Sequence, residues 1–472
     1  MGWRRSRHCH ASGPPTRHCA RGWDCPVPQD GGADMATRKM HILLWLQNMG
    51  HNLAAWRHPE SRTQDFLTVD YLRDVGRLAE AGKLDMIFIE DVMFTRESGG
   101  RYFGEVSINS MDPSIIIAAL SSVTEKIGLA ATYSTTYHEP EVLARKFATL
   151  DHLSKGRLAW NVVTSDPRVA RNFGATLHPD KELRYRKAAD TIAAIKALFD
   201  SWRDDALVFD RAGGRFYDPD KVRPVAHNGE FVRVQDALGV PRSPQGHPVF
   251  IQAGMSEWGL DFAASFAEAV FASAKSLELA RDYRTALKQK VAGKGRDPDG
   301  IKIFPGFVPI VGSTEEEARR KEAYFDSLVH PRAMLNLLRE QFHLDFSQHS
   351  LDDPFPIETI MASDGYTNGR TQVPHYLKAI RGQESMATYC RRYMRSLGHQ
   401  YIVGTPEQVA DFMQGFVDGG GCDGFVLAPS HIPGELKTFI EEVVPVLQKR
   451  GAFRQDYEGS TLRDHLGLSR PA

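Results

Sequence analysis

The sequence of 472 residues predicts an α/β fold, a (β/α)8 TIM barrel with inserted loops. Three observations predict it: eight short apolar segments, a helical pattern of apolar residues after each of them, and the length of the chain. The apolar segments are nearly continuous, as expected for parallel strands that are covered on both faces. Length alone suggests about three domains, but one barrel with insertions can exceed about 400 residues.

The eight predicted strands follow one another along the chain. They are 41–46, 84–89, 127–133, 157–163, 249–252, 269–272, 301–311 and 424–427. The seventh contains Pro305-Gly306, which predicts a bulge within that strand. An open, doubly wound sheet is the alternative, but no Gly-x-Gly-x-x-Gly motif follows the first strand, where that fold would place it.

Helical periodicity fills the intervals between the strands. The predicted helices are 66–82, 113–122, 140–153, 182–202, 256–267, 277–291, 314–328 and 434–448. Gly82 is a stop signal for the first helix, and Asp112-Pro113 provides a cap and a first-turn proline for the second. This alternation of strands and helices is the pattern of a barrel with an outer ring of helices.

The predicted barrel occupies residues 35–450 and contains two insertions, at 203–247 and 329–400. The first is rich in Gly, Pro and Asp, and the second contains His, Tyr and Arg throughout. Loops of this length are commonly functional, so we expect the second insertion to be a partly helical lid over the active site. Residues 451–472 are predicted to form a C-terminal tail.

Residues 1–34 are a different kind of sequence, rich in Arg and Pro and poor in aliphatic residues. We interpret them as an unstructured leader and Met35 as the natural start of the protein. The leader holds Cys9, Cys19 and Cys25, but their spacing lacks the Cys-x-x-Cys pair of small zinc sites. We therefore expect no metal site.

The charge balance excludes several classes of partner. Lys and Arg number 58 and Asp and Glu 59, so no global basic field attracts nucleic acid or a membrane surface. No run of about 18 apolar residues is present to span a bilayer. The five cysteines, an odd number, argue against a disulfide framework and for a reducing compartment, so we expect a cytoplasmic protein.

Candidate functional residues follow the predicted strands, because barrel enzymes carry their chemistry at the carboxyl ends of the strands. His51 follows the first strand, Asp91 the second and His138 the third. Gly254 and Ser256 follow the fifth and open a helix, an arrangement that suits an anion. For each residue a structural role stays open: Ser256 as a helix cap, Asp91 as an ion-pair partner, and the histidines as surface residues. The sequence contains no motif of a zinc peptidase or serine hydrolase.

Several motifs occur in a fixed order between about residues 38 and 465. They are WRHP at 56–59, FIED at 88–91, STTY at 134–137, TLDHLSKGR at 149–157, WNVVTS at 160–165, NFG at 172–174, RY at 184–185 and QAGMS at 252–256. With these motifs the chain resembles a family of monooxygenases that act on nitrilotriacetate, EDTA, dibenzothiophene sulfone or long-chain alkanes. This family is part of the bacterial-luciferase-like superfamily.

The resemblance implies a two-component, flavin-dependent monooxygenase. A separate NAD(P)H:flavin reductase would supply reduced FMN, O2 would add at flavin C4a, and the peroxyflavin would oxygenate a small organic substrate. The alternative is a flavin- or deazaflavin-dependent reductase or dehydrogenase on the same barrel, which would transfer hydride without consuming oxygen. A flavin-binding protein without catalytic activity is a third hypothesis. Barrels of this type commonly pair through helices, so we expect a homo-oligomer, a dimer or tetramer.

The resemblance also implies roles for individual residues. Asp91 and the region of Thr135 would line the flavin, and Asn161 would lie beside the isoalloxazine ring. Tyr185 and Ser256 would hold the phosphate, next to Gly254. His51 and His138 are the candidate catalytic residues, on the substrate side.

The chain departs from the family pattern at one cofactor-binding position. Relatives often carry a histidine four residues before the tyrosine, where this sequence has Lys181. The nearest histidine is His178. A lysine can meet a phosphate as a point charge, so Lys181 is a candidate FMN ligand and His178 the alternative.

Overall fold

A computed structural model describes residues 38–98, 101–108, 111–174, 178–342, 344–346, 348–362 and 384–471. The strands that define the fold are β1 His41–Trp45, β2 Met86–Ile89, β3 Gly128–Ser134, β4 Leu158–Val163, β5 Val249–Gln252, β6 Ala269–Ala272, β7 Lys302–Val311, β8 Gln400–Gly404 and β9 Gly424–Leu427. All of these strands except β8 form a closed parallel barrel, in which β9 pairs with β1 and β6 pairs with β7. The predicted (β/α)8 barrel is confirmed.

Strand β8 is an addition that the sequence analysis did not predict. It pairs in parallel with the second half of β7, from Phe307 opposite Gln400 to Val311 opposite Gly404. The first half of β7 pairs with β6 inside the barrel, and the change of partner falls at the predicted Pro305-Gly306 break. The second half of β7 therefore extends beyond the carboxyl end of the barrel and carries β8 with it.

The eight predicted helices agree with the structure to within a few residues, and α8 to α11 and α14 are additional helices whose bounds were not predicted. They are α1 Val69–Ala81, α2 Pro113–Ser121, α3 Pro140–Leu153, α4 Lys181–Phe199, α5 Glu257–Phe266, α6 Leu277–Gly293, α7 Glu315–Leu328, α8 Pro331–Phe342, α9 Ile357–Ala362, α10 Met386–Ser396, α11 Pro406–Asp418, α12 Gly434–Thr438, α13 Val444–Lys449 and α14 Leu462–Leu466. Helix α1 begins at Val69 because the Thr68 hydroxyl accepts the Tyr71 N–H, and the Asp112 carboxylate caps α2 as predicted. No helix in the described part of the chain is long and apolar enough to cross a membrane.

The barrel interior is filled by alternate side chains of the strands. Leu43, Met86, Ala130, Val249 and Phe304 belong to this buried interior cluster. The residues between them face the surrounding helices and form a larger core with those helices. Because successive side chains of a strand point to opposite faces, the same alternation brings Trp45, Asn161 and Phe271 to the carboxyl end of the interior.

Residues 451–471, which the sequence analysis set apart as a tail, pack at the amino-terminal end of the barrel. Leu462 and Leu466 are fully buried in the interior cluster. A β-carbon at Gly128, the first residue of β3, would lie 2.4 Å from Leu462 Cδ1, so this leucine seals the interior closely. The Arg463 guanidinium pairs with Glu268, just before β6, at 2.6 Å.

The two insertions lie at opposite ends of the barrel. Residues 203–247 follow α4 and precede β5, on the amino-terminal side, and contain two short antiparallel hairpins. The described part of 329–400 contains α8, α9 and α10, whose apolar residues pack with β7 in a core of their own. The predicted leader, 1–34, and the segment 363–383 lie outside the described residues.

Leu462→Ala should lower the free energy of unfolding by about 2–5 kcal/mol, because it empties a buried site that the interior cluster cannot refill. Urea denaturation followed by tryptophan fluorescence measures the change. Leu153→Ala is the matched control, since this leucine is 58% exposed and its loss should cost less than about 0.5 kcal/mol. Equal effects of the two substitutions would mean that the C-terminal segment does not stabilise the barrel.

Candidate active site

Two of the predicted cofactor residues meet where α4 and α5 begin. Tyr185 lies in the second turn of α4, and the nearby Ser256 side chain partly offsets the rise that burial causes in the pKa of the Tyr185 hydroxyl. Ser256 is the N-cap of α5 and accepts the Gly259 N–H at 3.2 Å. A β-carbon at Gly254 would lie 3.2 Å from Gly259 Cα, so glycine lets the turn before Ser256 pack closely against the start of α5. The structure thus assigns Ser256 a capping role and also places it beside Tyr185.

His178 and Lys181 take different positions in this region. The Tyr137 hydroxyl lies 2.7 Å from His178 Nδ1. His178 Nε2 is buried and has no hydrogen-bond partner among the described residues. Lys181 is the first residue of α4, and its side chain is exposed. The structure therefore brings His178, rather than Lys181, against a polar side chain of the site.

Arg184 adds a half-buried cation to the same place. Its Nη1 donates to the backbone oxygens of Thr164 and Ser165, each at 3.1 Å. Burial lowers the pKa of Arg184, because it takes the charged guanidinium out of water. The backbone oxygens that accept from it carry no full negative charge to offset this cost. We call Tyr137, His178, Arg184, Tyr185 and Ser256 the α4–α5 corner. Its donors and its cation suit an anionic group.

Asn161 and Thr135 lie at the carboxyl ends of β4 and β3. The Asn161 amide nitrogen donates to the Thr132 hydroxyl at 3.0 Å. Thr135 is fully buried, and both its N–H and its hydroxyl donate to Val163 O, at 3.0 and 3.3 Å. The side chain of Thr135 thus joins two strand ends, whereas the Asn161 carbonyl oxygen accepts no hydrogen bond from the described residues.

Several buried polar atoms at this end of the barrel are unpaired within the described residues, and others, such as Gln245 Oε1 and both ring nitrogens of His465, lie at the amino-terminal end. The buried atoms without a hydrogen-bond partner in the described ranges include Trp45 Nε1, Asn161 Oδ1, His178 Nε2, Gln252 Oε1 and His399 Nδ1. Buried polar atoms are nearly always paired in native proteins, and each unpaired one costs about 1–3 kcal/mol. Five such atoms around one opening fit a polar ligand that supplies the missing partners.

His51 lies in an aromatic part of the opening. Its Nδ1 is 2.6 Å from Gln47 Oε1 and its Nε2 is 3.1 Å from Ser396 O. Burial lowers the pKa of His51 to about 4, so the ring is neutral near pH 7. A neutral imidazole donates through one nitrogen, so only one of these two oxygens accepts from it.

His399 is a neighbour of His51 that the sequence analysis did not single out. It precedes β8, its ring stacks on Phe271 with centroids 5.4 Å apart, and the His51 ring lies 5.7 Å away. A β-carbon at Gly306 would lie 2.3 Å from His399 Nδ1, so glycine in β7 makes room for this ring. With Trp45, these rings form what we call the aromatic wall: Trp45, His51, Phe88, Phe271 and His399.

Asp91 and His138 lie on another side of the opening, around Tyr133. His138 Nδ1 is 3.0 Å from Ser134 O, and its ring packs edge-on against Tyr133 at 5.2 Å. Burial raises the pKa of Asp91 to about 6, and the nearby Asp112 carboxylate adds to the shift. Asp112 accepts the Tyr133 hydroxyl at 2.6 Å. No contact among the described residues joins His138 to His51, so the two candidate catalytic histidines occupy separate places.

Comparisons with known proteins agree with this arrangement. A family model described as luciferase-like monooxygenase matches residues 49–422. The chain is 40% identical to N-acetyl-S-(2-succino)cysteine monooxygenase of Bacillus subtilis, over 93% of this chain and 99% of that protein. It is 41% identical to dibenzothiophene-sulfone monooxygenase of Rhodococcus erythropolis, over 92% and 98%. A crystal structure of a riboflavin lyase with modified FMN and riboflavin superposes with a TM-score of 0.80 at 30% identity, over 92% and 97%.

The chain therefore belongs to the luciferase-like monooxygenase family. This assignment confirms the resemblance found in the motifs. It also confirms the function that the resemblance implied, a flavin-dependent monooxygenase that uses reduced FMN and O2 on a small molecule. The alternative of a reductase or dehydrogenase is not favoured.

His399→Phe should make the fold less sensitive to acid. Burial lowers the pKa of His399 to about 3 from its ordinary value of 6.5, so below pH 6.5 the unfolded chain takes up a proton that the folded chain does not. Stability therefore falls as the pH drops from 6.5, and His399 accounts for up to about 2 kcal/mol of the loss at pH 5. Urea denaturation at pH 7 and pH 5 gives the free energy of unfolding at each pH. The phenylalanine variant should lose less stability between the two pH values than the wild type, by the amount that His399 contributes.

The matched control for this measurement is His349→Phe, because His349 is exposed and its removal should leave the wild-type pH dependence. If the His399 variant loses as much stability between pH 7 and pH 5 as the wild type, then His399 is not a buried neutral histidine.

Proposed function

We propose that reduced FMN binds across the carboxyl end of the barrel, with its phosphate at the α4–α5 corner and its ring system beside Asn161. The observation that carries the proposal is the set of unpaired buried polar atoms, which extends from His178 to Asn161 and Trp45. A flavin carries both a charged phosphate and a ring with polar edges, so one molecule would supply partners along this path. Bound FMN supplies the oxygen chemistry, and the protein supplies orientation and exclusion of water.

The phosphate proposal rests on four side chains of the α4–α5 corner and on backbone N–H groups at the start of α5. The free N–H groups at the start of α5 and the Ser256 hydroxyl favour an anion, and the Tyr185 hydroxyl lies beside them. Arg184 contributes a positive charge, and His178 Nε2 a donor or acceptor. Lys181, at the exposed start of α4, would approach the same anion from the solvent side as a point charge.

The flavin ring would lie against the ends of β2, β3 and β4. The Asn161 carbonyl oxygen is free to accept from a ring N–H, while its amide nitrogen is held by Thr132. Thr135 supports this surface by joining the ends of β3 and β4. Asp91 would border the ring from the Tyr133 side. His138, which the resemblance places on the substrate side, is here proposed instead to border the flavin ring near the α4–α5 corner. Its ring lies 6.1 Å from Phe173, which stacks on Tyr137 at 4.6 Å.

The aromatic wall is the proposed place of the organic substrate. Its rings and its two neutral histidines offer an apolar surface with a few hydrogen-bonding atoms, as small-molecule sites usually do. The second insertion covers this wall, because His399 and the Ser396 carbonyl that contacts His51 both belong to it. Covering of this kind excludes water, which would otherwise interfere with the oxygen chemistry that bound FMN supplies.

Three further proposals concern the protein as a whole. A separate NAD(P)H:flavin reductase would deliver reduced FMN by diffusion or transient contact. The protein would be a homodimer or homotetramer.

A cytoplasmic location is supported by Cys390 and Cys422, both buried free thiols, which a reducing compartment preserves.

Ser256→Ala should weaken the binding of FMN about 5- to 30-fold, equivalent to about 1–2 kcal/mol, through loss of a hydrogen bond to a charged group. Fluorescence titration of the protein with FMN gives the dissociation constant. The matched control is Ser276→Ala, which removes the equivalent N-cap of α6 and should leave FMN affinity within about twofold. Unchanged affinity in the Ser256 variant would contradict a phosphate site at the α4–α5 corner.

His51→Ala should lower the rate of substrate oxygenation about 100-fold and change FMN affinity less than about threefold, because His51 lies on the aromatic wall and not at the proposed flavin surface. Oxygenated product formed from supplied reduced FMN, together with the FMN titration, separates the two effects. His138→Ala provides the contrast, since it should weaken FMN binding. Equal losses of oxygenation and FMN affinity in the His51 variant would place His51 beside the cofactor instead.

A further inference from the structure

The loops that follow β1 and β9 lie side by side at the carboxyl end of the barrel. The His51 N–H in the first loop donates to Pro429 O in the second at 2.8 Å. The first loop goes on to His58 and Glu60, and the second to His431. Two imidazoles and one carboxylate from two loops therefore meet at one place, next to the proposed active site but outside it.

We propose that His58, Glu60 and His431 bind one divalent transition metal ion such as Zn²⁺ and thereby tie the two loops together. Each of these residues, which we call the His–Glu trio, offers a ligand atom within 4.8 Å of the other two. His431 Nε2 and Glu60 Oε2 are 3.1 Å apart. Ligand atoms at tetrahedral zinc, with bonds near 2.0–2.1 Å, stand about 3.3 Å apart, so this pair already has nearly the required spacing.

Space for the ion exists because residue 434 is glycine. A β-carbon at Gly434 would lie 2.1 Å from His431 Nε2 and 2.4 Å from Glu60 Oε2. The side chain of His431 is 4% exposed, whereas that of Glu60 is 66% exposed. The trio therefore has one buried ligand and one side open to solvent, through which an ion enters and a water molecule completes the coordination.

The orientation of His58 leaves one of its nitrogens for the metal. The Glu60 N–H donates to His58 Nδ1 at 3.3 Å, which leaves Nε2 available. The His58 and His431 rings are tilted by 30° relative to each other, with centroids 3.9 Å apart. Two imidazoles on one tetrahedral ion have centroids about 5 Å apart, so the His58 ring must move outward by about 1 Å. The His58 ring also contacts Phe325 and Tyr324, but His58 is only half-buried, so its solvent-facing side leaves room for this shift.

The donor set selects the class of metal. Imidazole nitrogen suits Zn²⁺ and its neighbours in the first transition series, whereas Mg²⁺ and Ca²⁺ prefer oxygen ligands throughout. The Lys321 ammonium lies nearby, but it contacts Glu435 Oε1 at 3.3 Å and Val311 O at 2.6 Å. Its charge is thus largely offset by another carboxylate, so the carboxylate of Glu60 stays available to the metal.

Titration of the chelator-treated, full-length protein with ZnCl₂ in a calorimeter tests the proposal. Glu60→Gln keeps the shape of an exposed side chain and removes its charge, so it should weaken zinc binding at least tenfold without affecting folding. His431→Ala should remove the binding event. Equal zinc affinity in the wild type and in the Glu60 variant, or no binding by the wild type at 100 μM zinc, would overturn the proposal.

Zinc could also bind to Cys9, Cys19 and Cys25 in the same full-length protein. Binding is therefore assigned to the trio by the difference in zinc affinity between the wild type and the variants. The matched control is His349→Ala. His349 and Asp353 form an exposed histidine–carboxylate pair at 3.5 Å and belong to no group of three ligands among the described residues. This variant should bind zinc with wild-type affinity. A loss of affinity equal to that of the Glu60 variant would mean that the titration reports surface histidines in general.

Hydrogen exchange tests whether the metal ties the loops. With zinc bound, backbone amides of residues 49–54 should exchange more slowly, because the hydrogen bond between the His51 N–H and Pro429 O opens less often. The Glu60 variant at the same zinc concentration should show no slowing. Unchanged exchange in the zinc-bound wild type would overturn the inference that the ion holds the two loops together.

Discussion

Closure of the parallel sheet is the constraint on which the other features of this molecule depend. The pairing of β9 with β1 and of β6 with β7 leaves the barrel without a free edge, and it directs the carboxyl ends of its eight strands to one opening. Residues that are far apart in the chain, such as Trp45 and Phe271, become neighbours there, with ring centroids 5.1 Å apart. The site is thus a consequence of closure and not of any one segment.

The two ends of the barrel contain different buried polar groups. At the amino-terminal end the charges are paired: Arg463 with Glu268, and Arg454 with Asp85. At the carboxyl end the described residues leave several buried atoms unpaired, among them Asn161 Oδ1 and Gln252 Oε1. Buried atoms without a partner in the described part of the chain also occur at the amino-terminal end, among them Gln245 Oε1 and His465 Nε2. The carboxyl end differs in that its unpaired atoms lie around one barrel opening, where a ligand can reach them.

The second insertion is a structural part of the opening. Strand β7 extends past the barrel, and β8 pairs with that extension. This pairing fixes where residues 312–399, the segment between the two strands, come back to the barrel. That return positions His399 against Phe271 and Ser396 O against His51. With the substrate on the aromatic wall, as proposed, variation in this insertion would change the substrate without changing the barrel, in keeping with relatives that are named for different substrates.

The sequence by itself determined the eight barrel strands, the helix that follows each of them, and the positions of Asp91 and Ser256 after strand ends, because apolar periodicity and capping residues act locally. The bounds of α8 to α11 and of α14 were not predicted. Only the tertiary structure decided which of these residues meet. It placed His178 rather than Lys181 beside Tyr137, brought His399 to His51, and joined His58 to His431. Such contacts link segments from 41 to 373 residues apart, and the pairing and shear of the closed barrel, which no local pattern encodes, determine them.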